Sequence, residues 1–321
     1  MTQEITSTRA NPLIDPALSV WHGEVALYLF VGGLVAGLMV ITGLWMLRSS
    51  EGPRSRALSL LPWAAPVLLS AGMLFLWLDL ENRFNVWRFY FAFRISSPMS
   101  WGAWILLAIY PASIALAWNM TPGDLQAAAL RRLPWGPWLG RLGQCAMNHV
   151  RRVAIVNVVL GAALGIYTGV LLGTMAARPL WNSALLGPLF LASGLSTGAA
   201  FLLMWRLDEV ERRLLGRADM WLILAEIVLI AAWLGDLAVR GAASRDAAWL
   251  VLGGPYTTAF WTLVVTLGLL VPLAGEWLEH RHHGVPGRFA ATLVLVGGLA
   301  LRWILVNAGQ ASGWAADLAA R

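Results

Sequence analysis

Eight apolar stretches, each long enough to cross the hydrocarbon core of a bilayer and each nearly free of charge, constrain this chain more than any motif in it. They lie at about 21–47, 57–80, 99–120, 153–177, 181–205, 219–239, 253–277 and 289–309. A helix needs about 20 residues for the crossing, whereas a membrane β-barrel would read as alternating segments of about ten. The chain is 59% hydrophobic and only 12% charged, about half the charged share of a soluble domain. The expected fold class is therefore all-α and integral to the membrane, with eight transmembrane helices.

The basic residues set an orientation. All 23 are arginine. Fourteen fall in the connectors after spans one, three, five and seven: Arg48, Arg54, Arg56, Arg131, Arg132, Arg141, Arg151, Arg152, Arg206, Arg212, Arg213, Arg217, Arg281 and Arg288. Positively charged loops stay cytoplasmic, so both termini are expected on the outer, periplasmic side of a bacterial inner membrane. No basic stripe suggests nucleic acid. One cysteine, Cys145, in a polar connecting loop, supports neither a disulfide nor an iron–sulfur cluster within the chain. Residues 1–20 lack a basic start followed by a short apolar core, so no cleavable leader is expected.

A weak repeat runs through the spans. Gly33 to Gly37 matches Gly194 to Gly198, and the Trp77–Leu80 segment resembles Trp233–Leu237. Offsets of about 160 residues agree with two four-helix bundles, 21–177 and 181–309, flanked by a segment 1–20 and a tail 310–321. Small residues four apart also occur wherever membrane helices touch, which is the plainer reading.

A rise of about 1.5 Å per residue converts position into depth. His22 and Glu24 stand at the outer end of span one, Asp79 and Glu81 close span two, and Asp236 closes span six. Tyr167 and Arg302 fall in the outer third, with Asn307 and Gln310 above Arg302, and Ser100 lies in the turn that opens span three. Each has a bland reading as a solvated helix end or a belt aromatic. Arg302 needs a carboxylate, carbonyls or water wherever it lies. Four of the five histidines are in connectors, so a bis-histidine haem site is not expected. A polar pocket near one surface, with tyrosine and histidine as donors and an aspartate beside them, suits a lipid-soluble carrier such as quinone.

Four segments carry a resemblance: "WHGEVALYLFVGGLVAG" from Trp21, "SSPMSWGAWIL" from Ser96, "GIYTGVLLG" from Gly165 and "LRWILVNAGQ" from Leu301. Together they resemble the NrfD/PsrC family, the membrane subunits of polysulfide-reductase-type complexes, over about residues 12–310. The resemblance implies an eight-helix, two-bundle fold without haem. It implies electron exchange between membrane quinone, mena- or ubiquinone, and a docked periplasmic ferredoxin-like iron–sulfur subunit with several clusters, itself attached to a molybdopterin enzyme or multihaem cytochrome. By the same resemblance His22 hydrogen-bonds a quinone carbonyl, Tyr167 is a donor to the pocket, and Asp79 handles protons. Glu24 is an alternative to His22, since two residues two apart in a helix point to different faces. Arg302, Ser100, Asn307 and Gln310 form a ring behind them.

Glu226, about 10 Å into span six, is a candidate proton relay. With Asp236, Asn157 and the Ser193, Ser196 and Thr197 group it would line a path; pairing of Glu226 with Arg217 is the structural alternative. A proton-coupled transporter using Glu226, Asp236 and Arg302 is the rival function, although transporters bind at the midplane and most polar groups here gather at one face. A purely structural anchor is the third option.

Overall fold

The computed structural model describes residues 21–48, 55–80, 82–91, 94, 97–132, 136–282 and 287–313. Glu81, Ser96, Arg54, His283, the segment 1–20 and most of the tail 310–321 lie outside the described residues. Among the described residues, eight helices are long and apolar enough to cross a membrane: α1 (Gly23–Arg48), α2 (Arg56–Asp79), α3 (Pro98–Met120), α4 (Val150–Gly173), α5 (Leu186–Leu203), α6 (Glu209–Arg240), α7 (Thr257–Trp277) and α8 (Arg288–Ala311). The count and order are those expected from the sequence.

Helices that are apolar all round belong in the middle of a bundle. α1 and α5 fit that description, and they are the most buried spans. α1 packs on α2, α4, α5 and α8, and α5 packs on α1, α4, α6 and α8. They touch at backbone distance. A methyl group added to Gly37 would lie 2.1 Å from the Gly194 carbonyl oxygen, and one added to Gly198 would lie 2.6 Å from the Gly37 carbonyl carbon. The two glycine motifs matched in the sequence are thus the two sides of one crossing. Gly37→Ala is expected to destabilise the protein by about 1–3 kcal/mol, because backbone cannot yield to the new methyl. Gly32→Ala is the control, since a methyl there meets nothing within 4 Å. Thermal unfolding in detergent checks both, and an unchanged midpoint for Gly37→Ala would remove the crossing from the stability account.

Local chemistry moves several boundaries. α6 begins at Glu209 rather than near 219 because Asp208 caps it. The Asp208 carboxylate accepts from the Val210 N–H at 3.2 Å and Glu211 accepts from the Asp208 N–H at 3.1 Å. Glu211, fully buried, also accepts from the Ser55 N–H at 3.0 Å and so ties the start of α2 to the start of α6. α4 stops at Gly173 and α5 starts at Leu186, leaving a longer turn than expected between them. The α3–α4 connector is helical at Gly123–Arg132 and Gly136–Asn148, and the α6–α7 connector at Ala242–Leu252. Cys145 is therefore on a helix, exposed, and not in a loop. α7 is wound as a π-helix over Phe260–Leu270, where Gly268 meets Gly297 of α8.

The start of α1 and the end of α8 are locked together on one face, called here the Trp21 face. Gln310 accepts from the Trp21 N–H at 2.8 Å and donates to its carbonyl at 2.9 Å. Trp21 stacks on Trp181 at 5.2 Å, and the Trp181 indole donates to the Leu305 carbonyl at 2.7 Å. Arg178 donates to the Ser312 carbonyl at 2.7 Å. These contacts fix the residue immediately before His22.

Candidate functional site

A cavity of about 470 Å³ opens on the Trp21 face, lined by His22, Glu24, Leu78, Asp79, Leu80, Asn82, Arg83, Phe84 and Asn85. Its walls come from the entry to α1 and from the chain that leaves α2. That exit is folded back on itself: Arg83 donates to the Leu78 carbonyl at 2.8 Å, lies over the Trp77 ring at 5.5 Å, and accepts the Trp77 indole N–H on its own carbonyl at 3.2 Å. Asp79 is held in the fold while His22 reaches outward, with side chains 13% and 73% exposed, and His22 Nδ1 lies 3.7 Å from Asp79 Oδ1. The imidazole is open to a ligand and to water, and the carboxylate beside it is a ready partner for a ring N–H.

His22 and Glu24 both line the cavity, which corrects the expectation that only one of them faces it. α1 begins at Gly23, so His22 precedes the helix and the angular spacing of helical residues does not apply to it. A methyl group on Gly23 would meet the Trp303 ring at 2.7 Å, so the entry to α1 lies directly against α8.

Tyr167 is buried and does not line the cavity. Its ring lies against Gly102 of α3, where a methyl group would come within 2.1 Å of the phenol oxygen. Tyr28 of α1 is its electrostatic neighbour, one helical turn beyond Glu24 and packed on Gly72 of α2. The two phenols stand among α1, α2, α3 and α4. Tyr28 is not among the residues expected from the sequence, although its spacing of four from Glu24 puts the two on one face.

Ser100 accepts from the Arg94 N–H at 3.0 Å, Asn307 donates to the Trp303 carbonyl in its own helix, and Gln310 clamps Trp21. None of these three lines the cavity.

Arg302 is elsewhere. It is fully buried, donating to Ser193 Oγ at 2.6 Å and to the Gly298 carbonyl at 2.9 Å, with its guanidinium over the Phe190 ring at 5.4 Å. Gly33 of α1 leaves the room, since a methyl there would lie 2.9 Å from the guanidinium. Glu226 faces this guanidinium and hydrogen-bonds Ser193, so its partner is Arg302 and not Arg217. Two turns back along α6, buried Asp219 accepts from Ser196 Oγ at 2.7 Å and hydrogen-bonds Glu276 of α7. The result is a polar ladder through α5, α6, α7 and α8. Neither Asp219 nor Glu276 is among the residues expected from the sequence; the seven-residue spacing of Asp219 and Glu226 on one helix was the available signal.

Two of the expected path residues stand apart from the ladder. Asp236 accepts from Ser183 Oγ at 2.7 Å and from Arg240 Nε at 2.9 Å at the Trp21 end of α6. Asn157 donates to the carbonyls of Ala112 at 2.8 Å and Val153 at 2.9 Å, joining α4 to α3. Thr197 bonds back to Ser193 and Gly194 in its own helix.

Comparison with known proteins is consistent over nearly the whole length. A family model described as "Polysulphide reductase, NrfD" matches residues 12–312. The chain is 30% identical over 304 residues to a polysulfide reductase chain of Wolinella succinogenes, covering 91% of this chain and 94% of the relative. It is 31% identical over 305 residues to protein NrfD of Escherichia coli, covering 91% and 95%. A tetrathionate reductase subunit of Salmonella typhimurium is 24% identical over 301 residues, covering 91% and 79%. With eight apolar helices and a polar cavity at the entry to the first, the chain belongs to the NrfD family of polysulphide-reductase-type membrane subunits.

Proposed function

We propose that this protein is the quinone-reactive, haem-free membrane anchor of a reductase complex in a bacterial inner membrane. The observation that carries the reading is the cavity at the Trp21 face, where an outward imidazole stands 3.7 Å from a carboxylate. Its size is in the range that holds a small ring, and its lining supplies both donors and acceptors in His22, Asn82, Asn85 and Arg83. The residues present therefore fit a quinone head group. A quinone, mena- or ubiquinone, supplies two-electron, two-proton chemistry at its carbonyl oxygens. His22 holds a ring N–H toward one such oxygen, Asp79 orients the imidazole and takes up its charge, and Glu24 offers a second proton-exchanging carboxyl at the mouth. Tyr167 and Tyr28, buried among α1 to α4 and outside the lining, are the hydroxyl donors that a head group entering deeper than the cavity would meet.

Electrons reach this cavity from outside the chain. A ferredoxin-like iron–sulfur subunit docked on the Trp21 face, periplasmic by the arginine distribution, and a molybdopterin catalytic subunit beyond it complete the complex. Relatives named as parts of polysulfide and tetrathionate reductases support a reductase assembly over a transporter. The packing of α1 with α2 and α4, and of α5 with α6 and α8, supports two four-helix groups meeting at the glycine crossing.

Quenching of a fluorescent quinone-site inhibitor by the detergent-purified protein tests the site. Saturable binding is expected for the wild type, with a weakening of roughly tenfold in His22→Ala, the loss of about one hydrogen bond, and a smaller weakening in Tyr167→Phe, whose phenol is buried outside the cavity. Saturable binding that neither variant weakens would place the quinone elsewhere.

The buried ladder supports a second role, movement of protons through α5 to α8 by way of Glu226. Proton uptake by liposomes containing the complex, at matched quinone turnover, is expected to fall in Glu226→Gln. Equal uptake in both would leave the ladder a structural element.

A further inference from the structure

We infer that His22, Glu24 and Asp79 form a binding site for a divalent transition-metal ion of the zinc class at the mouth of the cavity. One ligand atom from each lies within 4.8 Å of the other two, and His22 Nδ1 and Asp79 Oδ1 are 3.7 Å apart. Two ligands on one tetrahedral zinc stand about 3.4 Å apart, from bonds of about 2.0–2.2 Å. The His22–Asp79 pair is already near that spacing, and Glu24 reaches it by rotation of a partly exposed side chain.

The ligands come from two separate pieces of backbone, each held from behind. The Gln310 clamp on Trp21 fixes the approach to His22, and the Arg83 turn fixes the exit from Asp79. A fourth position faces the cavity and takes water, the arrangement of an open three-ligand site. One imidazole and two carboxylates select zinc over magnesium, which prefers oxygen ligands alone, and zinc has no geometry of its own to impose on an incompletely regular set. Two carboxyl groups beside one imidazole also favour a dication locally, in a chain whose net charge is +6.

Occupation of this site ties up the groups assigned above to the quinone's protons. The metal takes the His22 Nδ1 lone pair and engages both carboxylates, so zinc acts as an inhibitor of the cavity's chemistry. That consequence rests on the quinone reading; the metal site itself does not.

Calorimetric titration of zinc chloride into the full chain in detergent, repeated in excess magnesium chloride, tests the site directly. One saturable site per chain is expected, insensitive to magnesium and weakened at least about tenfold in His22→Ala and in Asp79→Asn. Glu24→Gln, nearly isosteric at a partly exposed position, is the variant least able to disturb folding, and the same loss is expected there. No saturable site, or binding that all three variants leave intact, would overturn the proposal. Inhibitor quenching in the presence of zinc then separates the two readings. Displacement of the inhibitor supports both, whereas zinc binding that fails to displace it leaves the metal site standing and removes the shared quinone pocket.

Discussion

Arg302→Met is expected to destabilise the protein by about 3–5 kcal/mol, the usual cost of stranding a buried charge. The guanidinium is fully buried and holds four elements together: Ser193 and Phe190 of α5, Glu226 of α6, Gly33 of α1 and the Gly298 carbonyl of its own helix. Its removal leaves Glu226, a residue 3% exposed, without its cationic partner and with Ser193 alone to bond it. Methionine fills much of the volume, so the loss reads the charge more than a cavity. The double variant Arg302→Met/Glu226→Gln is expected to recover at least about 1 kcal/mol, because the two side chains act as one unit. The unfolding midpoints of wild type, both single variants and the double variant in detergent close the cycle. A wild-type midpoint for Arg302→Met would show that helix packing alone holds α8 against α5 and α6.

Asp79→Asn carries the largest expected effect on activity. Asparagine keeps the shape of the side chain and its contact with His22, but it cannot accept the imidazole's charge or exchange a proton. Quinone-linked turnover by the assembled complex is expected to fall about 100-fold, the lower range for loss of a positioned acid–base group. Inhibitor affinity is expected to change by less than about tenfold, since at most one hydrogen bond is altered. That split between turnover and binding is what a proton-handling role predicts. Equal losses in both would make Asp79 a binding residue only, and unchanged turnover would exclude it from the chemistry.

Much of the candidate site is legible in the order of the amino acids. His22, Glu24 and Asp79 stand out for lying at one membrane boundary, and all three line the cavity. Arg302 is also legible as a residue requiring partners, yet its layer in the membrane points to the surface pocket while its side chain turns inward to Ser193 and Glu226. Depth is a coordinate along a helix, and the direction around the helix is not contained in it. Asp219 escapes notice because it coincides with the expected start of a span, and Glu276 because it sits near the end of one. The cap at Asp208 moves the start of α6 back, which leaves Asp219 inside the helix and buried.

The helical membrane class, the eight crossings and the boundary at which polar residues collect are properties of the amino-acid sequence alone. They follow from hydropathy and length, which act on each segment separately when the surrounding solvent is lipid. Which of those polar residues meet is settled by tertiary packing. His22 reaches Asp79 across 57 positions, and Asp219 reaches Glu276 across as many, because the rotation and crossing of α1, α5 and their neighbours are set by backbone contact at Gly37, Gly194 and Gly198. A contact of that kind depends on two helices at once, so no single stretch of sequence carries it.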